Sequence, residues 1–175
     1  MQVVGGYLSG SVAILADSAH VASDVLASGL SIYVSVRART HAHVGNLRVT
    51  YARISALLLL CVLGWIFFEA FTRFYHPSEV HGPLVIAIAL VGLAGNLLQL
   101  WILHPEKNIT GQLQSLHTLE DAASSIAVVL AGVAISLSHI AIIDPVISIG
   151  LVVYFGYQAL RRLLFPHDKK SHHAH

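Results

Sequence analysis

The chain has 175 residues, of which 55% are hydrophobic and 11% charged, with a mean hydropathy of +0.71 and a formal net charge of +1. Soluble domains carry about 25% charged residues, so this composition excludes a sizeable water-facing catalytic domain and points to an integral membrane protein. At roughly 20 apolar residues per span, the length holds five or six spans with short connections.

In chain order, Met1 to Gly10 (MQVVGGYLSG) is apolar, too short to span, and lacks the basic start of a signal peptide. It reads as the second half of a helix, so that either translation starts here or the chain is a shortened form of a six-helix protein. Ser11 to Val36 follows as a span with a polar face bearing Asp17, His20 and Asp24. Ile54 to Phe74 is apolar up to Glu69 and Arg73 and then meets His76-Pro77, which stops a helix. Pro83 to Leu103 carries no charge. Ser115 to Ser138 has His117, Glu120 and Asp121 in its first third and is apolar beyond. Ile142 to Phe165 begins with Asp144-Pro145, read as an N-cap followed by proline at the first helical position, and ends in Arg161-Arg162. The expected fold is an all-α polytopic transmembrane helix bundle of five full helices plus a partial first one, over residues 1–165, with a His-rich tail at 166–175.

Charge placement predicts the orientation. Arg37, Arg39, Arg48, Arg53, Lys107, Arg161, Arg162, Lys169 and Lys170 fall on one side of an alternating bundle, and only Arg73 on the other. Nine against one makes the first side, and with it the C-terminus, cytoplasmic.

Ionisable residues at membrane depth cost roughly 2.5–3.5 kcal/mol each on insertion scales and normally face a cavity or a partner. Here they recur in a pattern: His20 and Asp24 are four apart on one helix, and His117 and Asp121 four apart on another. Four residues return to nearly the same helix face. Ser28 and Ser125 extend each row, and the small residues Ala19, Ala22, Ser23 and Ala27, with Ala122, Ala123 and Ser124, allow close helix approach. Two imidazoles and two carboxylates are the ligand types of tetrahedral Zn2+, and the carboxylates neutralise the dication. Protons compete for the same ligands, which is the physical basis of metal/proton exchange. A structural interhelical hydrogen-bond pair is the competing reading. The single cysteine, Cys61, excludes a disulfide and a thiolate cage, while twelve histidines are an excess in so weakly charged a chain.

The segments LADSAHVASD, FFEAFTRFYHPSEV, GLAGNLLQLWILH, SLHTLEDAASS and DPVISIGLVVYFGYQALRRLL, in this order and spacing, resemble the cation diffusion facilitator family of zinc transporters. The resemblance runs from about Val3 to Leu164. It implies a six-helix transporter, usually a homodimer in the lipid bilayer, that exports Zn2+ from the cytoplasm against H+ by alternating access, with His20, Asp24, His117 and Asp121 as metal ligands. Cd2+, Co2+ and Ni2+ are further candidate substrates, the plasma (bacterial inner) membrane is the expected location, and no nucleic acid partner or enzymatic activity is expected. Relative to the family, the first helix is half present, the cytoplasmic C-terminal domain is missing, and Glu120 stands where a small residue is common. Glu120 has three readings: a headgroup or neighbouring-helix contact, a fifth oxygen ligand, or a modulator of proton affinity.

Two other function classes stay open at this point: a non-transporting or regulatory subunit paired with a full-length relative, and an intramembrane metalloenzyme, for which Glu120 is the only nearby general base. Among lesser candidates, Asp17 is read as a charge at a helix N-terminus or as a group near the non-cytoplasmic end that guides metal exit, Glu69 and Arg73 as an interfacial ion pair, and Asn96 and Gln99 as interhelical hydrogen-bonding groups. His41, His43 and the tail PHDKKSHHAH are read as metal collectors or as featureless polar segments.

Overall fold

The structure, a computed structural model, describes residues 2–37, 44–103 and 109–164, with side chains throughout except for most of residues 27–52 and 103–117. Six helices follow one another: α1 (Gln2–Ser9), α2 (Val12–Arg37), α3 (Val44–Tyr75), α4 (Gly82–Leu103), α5 (Ile109–Ser138) and α6 (Ile143–Leu164), and no strand occurs among the described residues. The bundle is thus all-α, with five long helices and one short one. Two helices are longer than their apolar stretches: α3 starts at Val44 rather than Ile54, and α5 at Ile109 rather than Ser115. Intrahelical hydrogen bonds satisfy the backbone in water as well as in lipid, so an apolar window marks only the part that crosses.

Among the described residues four stretches, Arg53–Tyr75, Gly82–Ile102, Thr118–Ser138 and Ile143–Leu164, are long and apolar enough to cross a membrane. Their outward faces carry large apolar side chains such as Trp65, Trp101, Leu130 and Tyr157, as lipid contact requires. At 26 residues α2 has the length, about 39 Å at 1.5 Å per residue, but it carries Asp17, His20 and Asp24. It occupies the centre, touching all five other helices, while α3 packs on α6 and α4 on α5.

Lipid is as apolar as leucine, so close packing rather than the hydrophobic effect holds such helices together. Small residues make that approach possible: Ala16, Ala70, Ala89 and Ala159 are buried in the core around Ile66, Val85, Val128 and Phe155. Between α4 and α5 a Cβ on Gly82 would meet Ser136 Oγ at 2.4 Å, and one on Gly132 would meet Ile86 Cγ1 at 2.9 Å.

The break between α1 and α2 is a Schellman turn. Gly10 has φ +69°, with Ser11 N–H donating to the Gly6 carbonyl at 3.1 Å and Gly10 N–H to that of Tyr7 at 3.3 Å. Glycine is required twice, by that left-handed φ and because a Cβ would sit 2.6 Å from the Glu79 carbonyl oxygen. Ser11 then caps α2, its Oγ accepting from Ile14 N–H at 3.2 Å.

Asp144 departs from the sequence reading. It lies inside the first turn of α6, which begins at Ile143, and its carboxylate caps α2 instead of its own helix. It accepts from Ser11 Oγ at 2.5 Å, from Val12 N–H at 2.8 Å and from Ala13 N–H at 3.4 Å. The reason is geometric: the N-termini of α2 and α6 lie side by side, and the carboxylate satisfies orphan donors of the neighbouring helix. Arg73, paired with Glu69 at 2.8 Å, also donates to the Gly10 carbonyl, and His81 N–H donates to the Ser9 carbonyl at 3.0 Å. The α1–α2 junction is thereby tied to α3, to the α3–α4 connection and to α6.

Candidate metal site

His20 and Asp24 are on the central helix α2, Asp121 is on α5, and the helical period brings the first two to one face. Close α2–α5 contact then places Asp121 against them. His20 Nε2 lies 3.1 Å from Asp121 Oδ1 and 3.4 Å from Asp24 Oδ2, and one ligand atom from each of the three residues lies within 4.8 Å of the others. A tetrahedron with metal–ligand bonds of about 2.0–2.1 Å has edges of about 3.3–3.4 Å, so the two separations from His20 Nε2 stand near those that a zinc-sized ion imposes. His20 is 1% exposed, whereas the two aspartates are partly open. The cluster lies near the midpoint of α2.

His117 is on α5, one helical turn before Asp121; its side chain lies outside the described residues, as do those of Ser28, His41, His43 and the tail from His167 to His175. The described members are therefore three of the four ligands read from the sequence.

Several neighbours shape the cluster without being legible beforehand. Phe155 of α6, fully buried, stacks on the His20 ring with centroids 4.0 Å apart and planes 11° from parallel, which fixes the imidazole plane and aims Nε2 at the carboxylates. Arg162, two turns further along α6, donates from a guanidinium nitrogen to Asp24 Oδ1. The spacing of Phe155, Ala159 and Arg162 marks one face of α6, the only trace of this in the sequence.

Asp17 is not a helix-terminal charge. Helix α2 begins at Val12, so Asp17 lies past the first turn, 4% exposed, and accepts from Ser124 Oγ of α5 at 2.7 Å. The same hydroxyl lies 2.9 Å from the Asp121 carbonyl, so Asp17 and Asp121 share a partner on α5. Glu120 turns away from the cluster and accepts from Gln158 Nε2 of α6 at 3.0 Å, the neighbouring-helix alternative of its three readings. Asn96 donates to Ser125 at 3.2 Å, joining α4 to α5 and engaging that serine away from the ligands, while Gln99 is exposed.

The family described as the cation efflux transmembrane domain matches residues 1–164 of the chain. The zinc transporter ZitB of Escherichia coli (strain K12) is 37% identical over 173 residues, 94% of this chain and 55% of its own length. The ZitB of Pectobacterium atrosepticum is 35% identical over 157 residues, 85% of this chain and 49% of its own. A cadmium, cobalt and zinc/H(+)-K(+) antiporter of Bacillus velezensis is 29% identical over 174 residues, 92% of this chain and 56% of its own. The chain spans about half the length of the curated relatives it matches.

Proposed function

The chain belongs to the cation efflux family through its transmembrane domain, and on that premise we propose that it moves Zn2+ out of the cytoplasm in exchange for protons by alternating access. The observation that carries this reading is the cluster of His20 Nε2, Asp24 and Asp121 near the midpoint of the central helix, with one ligand atom from each within 4.8 Å of the others. His117, four residues before Asp121 on the same helix, completes the set as the fourth ligand. Relatives named as zinc transporters, and as a cadmium, cobalt and zinc/H(+)-K(+) antiporter, support the substrate and the counter-ion.

Chemistry supports the exchange as well. Neutral imidazole and ionised carboxylates bind the cation, and protonation of either releases it. Imidazole nitrogen disfavours Mg2+ and Ca2+, which take six or more oxygens, and accepts Zn2+, Cd2+, Co2+ and Ni2+. The working unit is a homodimer in the bacterial inner membrane, with the Arg161–Arg162 end of α6 and the C-terminus in the cytoplasm by charge bias. The metalloenzyme alternative loses its general base, because Glu120 is engaged with Gln158 outside the ligand group.

The test is zinc flux by the purified chain reconstituted into vesicles with an acidic lumen and an internal zinc indicator. Wild-type protein accumulates zinc as protons leave, while Asp24→Ala and Asp121→Ala insert normally and do not transport. Normal flux in both single variants overturns the site. Absence of flux from the chain alone, restored by a longer relative, replaces the transporter with the subunit reading.

A further inference from the structure

The ligand cluster shares one of its carboxylates with a permanent cation. Asp24 presents Oδ2 to His20 Nε2 at 3.4 Å and Oδ1 to the Arg162 guanidinium. Arginine is not deprotonated in proteins, so this counter-charge does not vary with pH.

Arg162 reaches the cluster from one end. The N-termini of α2 and α6 are level, because Asp144 caps Val12. From there Asp24 is about 18 Å along α2 and Arg162 about 27 Å along α6, at 1.5 Å per residue. The side chain closes that gap of about 9 Å by running back toward the N-terminus of its own helix, the direction in which helical Cβ atoms point. It thus enters from the end assigned to the cytoplasm. Phe155, on the same face of α6, holds His20 while Arg162 holds Asp24, so one helix touches both α2 members of the cluster.

Charge balance gives the consequence. Two carboxylates without a cation are costly at membrane depth, and the guanidinium offsets one of them. A bound dication neutralises both ligand carboxylates, and the guanidinium then competes with it for the same Asp24 oxygens. We propose that Arg162 is a tethered cation occupying Asp24 on the cytoplasmic side of the metal-free site, and that zinc loads by displacing it. Arg162 lowers the apparent zinc affinity and helps the site empty again. This rests on the zinc-site reading above.

The experiment is calorimetric titration of the full chain in nanodiscs with zinc, alongside vesicle flux. Relative to wild type, Arg162→Gln binds zinc roughly tenfold more tightly, with a lower KM and a lower maximal rate, and Arg162→Lys stays within about threefold of wild type. A second measurement installs the charge chemically, with Arg162→Cys in a Cys61→Ser background. Disulfide attachment of an aminoethyl group, which adds an ammonium, weakens zinc binding several-fold relative to attachment of a neutral methyl group. Arg162→Gln with unchanged or weaker zinc affinity overturns the proposal, as does equal affinity of the two adducts, while wild-type zinc binding leaves the site reading standing. Absence of zinc binding by wild type overturns both.

Discussion

Replacing Asp144 with alanine removes a cap shared between two helices. Its carboxylate is fully buried and makes two short contacts, 2.5 Å from Ser11 Oγ and 2.8 Å from Val12 N–H, with Ala13 N–H a longer third. Truncation leaves the Val12 amide and the Ser11 hydroxyl without their acceptor where no water reaches the carboxylate, at about 1–3 kcal/mol for each buried group. Ser11 still caps Ile14, so the lower half of the sum applies, about 2–4 kcal/mol. For a chain of this length each kcal/mol moves Tm by about 2–4 °C, which gives a fall of about 4–16 °C. Asp144→Asn keeps one carbonyl acceptor and falls by less. The assay is thermal unfolding of the detergent-purified chain followed by the fluorescence of Trp65 and Trp101. A zinc titration run in parallel also weakens in Asp144→Ala, because α2 and α6 lose the register that lays Phe155 on His20. An Asp144→Ala variant unfolding within 1 °C of wild type, or an Asp144→Asn variant less stable than it, refutes the capping account.

Zinc flux falls as the loading side is acidified, because protons and zinc compete for the same imidazole and carboxylate ligands. Initial rates at subsaturating zinc check this, and a flat profile counts against competition at these ligands. Phe155→Leu keeps an apolar side chain of adequate size but loses the parallel contact with His20. Its zinc Kd rises roughly two- to tenfold, measured by calorimetry, with the secondary structure unchanged by circular dichroism.

What the sequence determined by itself was local or averaged over many residues. Composition decided the membrane class, since every span must meet lipid with apolar side chains. The helical period put His20 above Asp24, because positions four apart share a face whatever surrounds them. Arg73 lay one turn from Glu69 for the same local reason. Tertiary structure decided everything that joins residues far apart in the chain. That Asp144 caps α2 instead of α6, that Ser124 holds Asp17, that Gln158 takes Glu120 out of the ligand group, and that Arg162 meets Asp24 all depend on which helix faces touch. Helical periodicity gives the contents of each face but neither the neighbour it meets nor the axial register between them. In lipid those are chosen by close packing of small residues and by the need of buried polar groups for partners. Arg162 illustrates the difference: counted along the chain it is one more cytoplasmic charge, and in the folded bundle its guanidinium lies on the carboxylate that also faces His20.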